Sequence, residues 1–276
     1  MLVPALVVLT IFLAYPVVFG IWLSLSDTTI GGGTGNFIGL ENFQYLITKD
    51  AIFRRTVGNT FEYTFVTVIF KFGLGLLMAA VLNVSFRGNK FIRSAMLLPY
   101  IVPTVLSTLA WSWMFDSTFS VFNWTLRLVG ITGPNWLSTW HWPMISLMLV
   151  NIWRGTPFFG ILLLAAMQGV PQDLYEAAAV DGASPFRRWL HVTIPTIQPV
   201  ILITTLLSII LTFSDFQIIW LLTHGGPANA THVLSTYAFQ VGIQGTDIGI
   251  GAAISLVLFP MLCITVGLVL WLLRRD

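Results

Sequence analysis

Six apolar runs, at about residues 3–26, 57–83, 93–115, 142–168, 197–223 and 248–273, constrain this chain more than any other feature. A helix needs ~20 apolar residues to cross the hydrocarbon of a bilayer, and each run is at least that long. Lipid offers no partner for backbone N–H and C=O groups, so each run must be a helix that satisfies its own. Only 9% of the residues are charged, where a soluble domain carries about a quarter. The fold class is therefore all-α: a polytopic bundle of six transmembrane spans, with no internal domain boundary across 1–276.

Several other classes fall away. A net charge of +2 gives no argument for nucleic acid as a partner. The single cysteine, Cys263, lies in an apolar run and can form neither a disulfide framework nor a metal cluster. His141, His191, His224 and His232 show no metal-ligand spacing. The first run is read as a span rather than a secretory signal. It has no basic start, is too long for an h-region and is not followed by a small-residue cleavage site.

Loop charges give the orientation. With both termini in the cytoplasm, Arg87, Lys90, Arg93, Arg187, Arg188, Arg274 and Arg275 fall inside, against Lys49, Arg54, Arg55 and Arg127 outside. Trp136, Trp140 and Trp142 are expected to mark the outer interface. The run Gly31-Gly32-Gly33-Thr34-Gly35 lacks the Lys and Ser/Thr of a phosphate loop and reads as a flexible outer loop.

The polar island at 169–195 interrupts the oil. A helix over about 172–181 would place Leu174, Ala177, Ala178 and Asp181 on one narrow face. Gly182 is placed to end it in a left-handed turn. Pro185 suits the first turn of a second short helix carrying Arg187 and Arg188. Such an elbow could dock a soluble partner. Spacing alone leaves open an interfacial helix whose arginines serve membrane lipids.

Charges inside spans mark function by default. Asn151, Arg154, Gly155 and Phe158 share one face of the fourth span, while Ser208, Thr212 and Asp215 form a similar stripe on the fifth. Gly155 and Pro157 are expected to weaken the fourth span there, as in broken helices that line transport cavities. Polar side chains beside an aromatic platform suit a sugar. The alternative is that Arg154 and Asp215 simply pair with each other. Lys71 is expected to meet a neighbouring helix or subunit rather than a solute.

Four elements in order resemble the permease subunits of bacterial ATP-binding-cassette sugar importers, in particular the maltose-permease F-like half. They are Phe37-Ile38-Gly39-Leu40-Glu41-Asn42-Phe43, Asn59-Thr60, the Glu176-Ala177-Ala178…Asp181-Gly182…Ile194-Pro195 loop, and Leu222-Thr223-His224-Gly225-Gly226-Pro227 with Thr231. The resemblance implies the type I importer permease fold. It also implies a coupling surface of Tyr175, Glu176, Ala177, Ala178, Asp181 and Gly182 that contacts a nucleotide-binding subunit.

By the same resemblance, Asn151-Ile152-Trp153-Arg154-Gly155-Thr156-Pro157-Phe158 and Ser208, Thr212 and Asp215 match the solute-lining stretches, with Ser107 as a further member. The implied partners are a second, G-like permease, two ATPase subunits, an extracytoplasmic solute-binding protein and a carbohydrate. No Walker-A pattern exists, so no cofactor is expected in this chain, and ATP and Mg would sit on the ATPase subunits. The chain is thus expected to be a non-catalytic permease for a sugar, or for an anionic sugar or glycerol phosphate ester. Two departures from the family pattern stand out. No basic segment precedes the first span, so the true start is expected upstream or the chain is minimal. There are also no extra spans or large periplasmic insert, which weighs against maltose in particular. A secondary transporter is the rival class, but inverted repeats are not apparent.

Overall fold

The computed structural model describes residues 7–33, 35–84, 87–139 and 141–273, so Trp140, Arg274 and Arg275 lie outside it. In chain order, the membrane-scale helices are α1 (Val7–Ser24), α3 (Ala51–Asn83), α4 (Asn89–Ile101), α5 (Thr104–Met114), α7 (Trp142–Gln168), α9 (Pro185–Phe213) and α12 (Ile248–Leu273). Shorter helices are α2 (Glu41–Thr48), α6 (Val121–Leu128), α8 (Gln172–Val180), α10 (Gln217–Thr223) and α11 (Leu234–Phe239). The described residues form no sheet. Their one extended pairing is a bridge between Ser26 and Phe37, which closes the glycine loop.

Two of the six expected spans are broken. The run at 93–115 is not one helix but α4 and α5, bent by 91°. Val102 and Pro103 are extended, because proline has no N–H to donate and its ring pushes the preceding residue out of the helical region. The run at 197–223 breaks after Phe213 and resumes as α10. The fourth span, where a break was expected, is unbroken from Trp142 to Gln168 despite Pro157. The span expected at 57–83 begins six residues earlier, since the Asp50 carboxylate caps it by accepting from Phe53 N–H at 2.9 Å.

The core centres on α3 and α7. Gly75 faces the Phe159 Cβ and Gly160 faces the Met78 side chain, each too close for a Cβ on the glycine, so the two helices meet nearly backbone to backbone. Ile197, Ile209 and Phe213 of α9 close one side of this core. A second cluster at the far end gathers Tyr63, Phe115, Leu147, Ile218 and Ile219. Trp136 packs edge-on to Trp142 at 5.0 Å within an aromatic knot that also holds Phe115 and Phe122. Both are half-buried. The exposed aromatics of that end are Trp113, Phe119 and Trp124.

Two of the motifs are clamps. Asn42 Nδ2 donates to Ser24 O at 3.0 Å and to Ser26 O at 2.9 Å, fixing the end of α1. Asn59 Nδ2 donates to Ala230 O at 2.9 Å and His232 O at 3.0 Å, while Thr60 Oγ1 accepts from Leu234 N at 3.0 Å. The Asn-Thr pair therefore holds the Gly-Gly-Pro loop. Thr231 also ties that loop to itself through Thr223 Oγ1 and Gly226 O. Gly225 sits at φ +82°, directly against the buried His232 ring. Burial pushes His232 down to about 4, so it stays neutral. Asn59→Ala strands two buried carbonyls and should cost about 2 kcal/mol or more. The loss would be read as a lower melting temperature and faster proteolysis within residues 224–233.

Candidate solute cavity and coupling elbow

α3 carries a polar stripe through an apolar helix: Thr56, Thr60, Tyr63, Thr64, Thr67 and Lys71 are all buried. Its lower end opens on a cavity of about 300 Å³ between α3, α4, α7 and the α9–α10 break. Seven of the eight expected solute residues line it: Asn151, Arg154, Gly155, Phe158, Ser208, Thr212 and Asp215. Ser107 does not. It is buried on α5 with its hydroxyl donating to Thr104 O at 3.0 Å.

Asp215 is not on the fifth span proper but in the turn between α9 and α10. Its Oδ2 accepts from Tyr63 Oη at 2.7 Å and from Asn151 Nδ2 at 2.9 Å, and its Oδ1 faces Ile218 N at 3.5 Å. Ser235 Oγ donates to its carbonyl at 2.6 Å. The carboxylate is thus filled by its own fold.

Among the described residues Arg154 does not pair with it. The guanidinium lies 5.9 Å over the Tyr100 ring, Tyr100 stacks on Phe158, and Arg154 Nε has no hydrogen-bond partner. Asn151 Oδ1 is likewise buried and unbonded. An unused guanidinium edge and an unused amide oxygen beside two stacked rings can bind hydroxyls and an apolar face together.

Lys71 crosses from α3 to donate to Thr212 Oγ1 at 2.8 Å, and Thr212 in turn donates to Ser208 O at 2.6 Å. It meets a neighbouring helix, as expected, and also lines the cavity. Gly155 has a different task from the one its composition suggested. It makes room for the Lys71 stem, which would collide with any Cβ there. Sequence reasoning overlooked Tyr63, which holds Asp215, and Tyr100, Thr104 and Gln217, which line the cavity. The stripe on α3, with Tyr63, Thr67 and Lys71 at steps of four, was the available signal for the first.

At the opposite end of α7, the polar island folds as an elbow. α8 ends where Gly182 takes φ +77°, with Gly182 N–H donating to Ala179 O at 3.0 Å and Ala183 N–H to Ala178 O at 2.9 Å. This pair of bonds is the Schellman stop. Ser184 caps the next helix and Pro185 fills its first turn. That helix is not separate: from Pro185 it runs through a π-type turn at Trp189–Thr193 directly into α9. Tyr175 Oη bonds Thr193 Oγ1 at 2.8 Å, joining α8 to the base of the span. Leu174, Glu176, Ala177 and Asp181 are exposed, whereas Ala178 turns half inward beside Tyr175.

An apolar helical bundle with a polar cavity at its broken spans and an exposed elbow at one end defines a membrane transport subunit. The family model described as "Binding-protein-dependent transport system inner membrane component" matches residues 71–275, and the chain belongs to that family. It is 36% identical to the trehalose/maltose transport system permease protein MalF of Thermococcus litoralis, covering 95% of this chain and 88% of that protein. It is 32% identical to the sulfoquinovosyl glycerol transport system permease protein SmoG of Agrobacterium fabrum, covering 96% and 86%. A crystal structure of a bacterial transporter that imports the acidic polysaccharide alginate includes a chain that superposes with a TM-score of 0.88 at 25% identity, covering 100% of this chain and 94% of that one.

Proposed function

We propose that the chain acts as a single transmembrane domain, one half of the pore of an ATP-driven carbohydrate importer, and catalyses no reaction itself. Its companions in this reading are a second, G-like permease, two ATPase subunits holding ATP and Mg, and an extracytoplasmic solute-binding protein. Both termini face the cytoplasm, which puts the elbow on the ATPase side. The observation that carries the reading is the cavity at the α9–α10 break, where Arg154 and Asn151 offer unused hydrogen-bonding atoms beside Tyr100 and Phe158. ATP-driven movement of α8 would pass through the continuous α9 helix to Ser208 and Thr212 near its far end and to Asp215 just beyond it, alternating access to the solute.

A second reading gives the solute an acidic group. Arg154 supports it, because the one carboxylate lining the cavity is already occupied by Tyr63 and Asn151. Both readings are tested by Arg154→Gln in proteoliposomes holding the whole complex, with the companion binding protein outside. For radiolabelled trehalose, uptake should fall about tenfold or less, the loss of one neutral hydrogen bond. For sn-glycerol 3-phosphate or sulfoquinovosyl glycerol it should fall about a hundredfold, the loss of a charge-assisted bidentate contact. A wild-type complex that accumulates none of these solutes on ATP would refute the carbohydrate assignment.

A further inference from the structure

A crevice separate from the solute cavity runs along α7 between α3 and α4. Its upper part, about 510 Å³, is walled by Leu77, Met96, Pro99, Trp153 and Pro157. Its lower part, about 250 Å³, is walled by Leu82, Arg93, Leu97, Leu164 and Gln168, and both parts share Met78. From Leu149 to Gln168 the crevice follows α7 for about 28 Å, the length of one leaflet's chain and more. Leu77, Val81 and Ile161 are exposed along it, so it opens outward from the bundle.

Apart from Thr156, whose hydroxyl donates to Ile152 O at 2.7 Å, the walls are hydrocarbon except at one end. There Arg93 donates Nη2 to Leu82 O at 2.8 Å, leaving Nε buried without a partner, and Gln168 is exposed at the rim. Arg87 and Lys90 are exposed at the same end, and the sequence has no acidic residue between Glu62 and Asp116. An apolar slot of acyl-chain length, closed by basic groups at one end, has the chemistry of an anionic phospholipid.

We propose that this crevice binds one anionic phospholipid, with its phosphate on Arg93 and Lys90 and an acyl chain against α7. The basic groups select the charge of the headgroup. The slot distinguishes a lipid from free phosphate, which has no chain to fill it. A lipid seated there would wedge α4 against α7 on the side away from the solute cavity, bracing the bent span.

The test uses the assembled complex, extracted in mild detergent, with bound lipids quantified by mass spectrometry. Phosphatidylglycerol or cardiolipin should be retained in preference to phosphatidylethanolamine. Lys90→Gln, which leaves the Arg93–Leu82 bond untouched, should lower that retention about fivefold. Arg93→Gln should do at least as much, and Ala165→Trp, which fills the lower slot, should expel the lipid. Unchanged retention in Lys90→Gln and Ala165→Trp overturns the proposal. So does a wild-type complex free of anionic lipid, the result expected if a helix of a partner subunit fills the crevice. Release of the lipid by washing in inorganic phosphate would reduce the site to a simple anion site and overturn it as well.

Discussion

Gly182→Val should leave the protein inserted and assembled while uptake falls at least tenfold and ATP hydrolysis continues. The reason is the backbone. Gly182 sits at φ +77°, with open space around the position a Cβ would take, so conformation and not crowding demands glycine. A Cβ in the left-handed region costs about 1–2 kcal/mol, and a β-branched side chain more. That cost is enough to unwind the two bonds that end α8, Gly182 N–H to Ala179 O and Ala183 N–H to Ala178 O. α8 has no fully buried residue to hold it in place. Its pose depends on this stop, on the Tyr175–Thr193 bond and on the base of α9. Once the stop is lost, α8 can still meet a partner but no longer pushes α9 along a fixed line.

Gly182→Asn is the control, because asparagine tolerates the left-handed region and should retain most coupling. Tyr175→Phe should give an intermediate loss, since one hydroxyl bond is worth about 1 kcal/mol. The readout is the ratio of solute moved to ATP hydrolysed in proteoliposomes. Normal uptake by the valine variant would mean that the elbow does not transmit force.

How much of this was legible in the chain depended on whether a single period could carry it. The fourth run matches α7 residue for residue, because no residue inside it both breaks the helix and finds a better partner. Pro157 looked like a breaker there, yet the tight α3–α7 packing keeps the helix whole. The actual breaks, at Val102-Pro103 and Ser214-Asp215-Phe216, lie within runs that hydropathy reads as continuous. Hydropathy is blind to backbone direction, so neither could be placed from it. The elbow was readable because its signals are local: a glycine one residue past a helix and a proline at the start of the next.

The cavity was half readable. Arg154 and Asp215 stand out as charges in oil, but which atoms they bond is a matter of three dimensions. Tyr63 and Lys71 reach the site from α3, 152 and 141 residues away from their partners Asp215 and Thr212. The Asn59 clamp was visible only as a motif. That it grips the Gly-Gly-Pro loop is a contact across 171 residues, which no periodicity encodes.

The largest loss of stability should come from Asp215→Ala. Removing the carboxylate strands the Tyr63 hydroxyl and the Asn151 amide. A buried polar group left without its partner typically costs about 1–3 kcal/mol, and Asp215→Ala leaves two. Asp215→Asn keeps an oxygen for Tyr63 and should recover part of the loss, though not the charge. Lys71→Met alone should destabilise less, since it removes the single bond from Lys71 Nζ to Thr212 Oγ1.

The double variant Lys71→Met with Asp215→Asn removes both charges and should be more stable than the sum of the single changes predicts, by about 1–3 kcal/mol of coupling. Thermal melting of the purified complex measures all four species. Strict additivity would mean that Lys71 and Asp215 act independently. Asp215 would then be held for Tyr63, Asn151 and the α9–α10 turn alone. Coupling of the expected size would make the pair one electrostatic unit bracing α3 against the broken fifth span, beside a guanidinium on α7 left free for a solute.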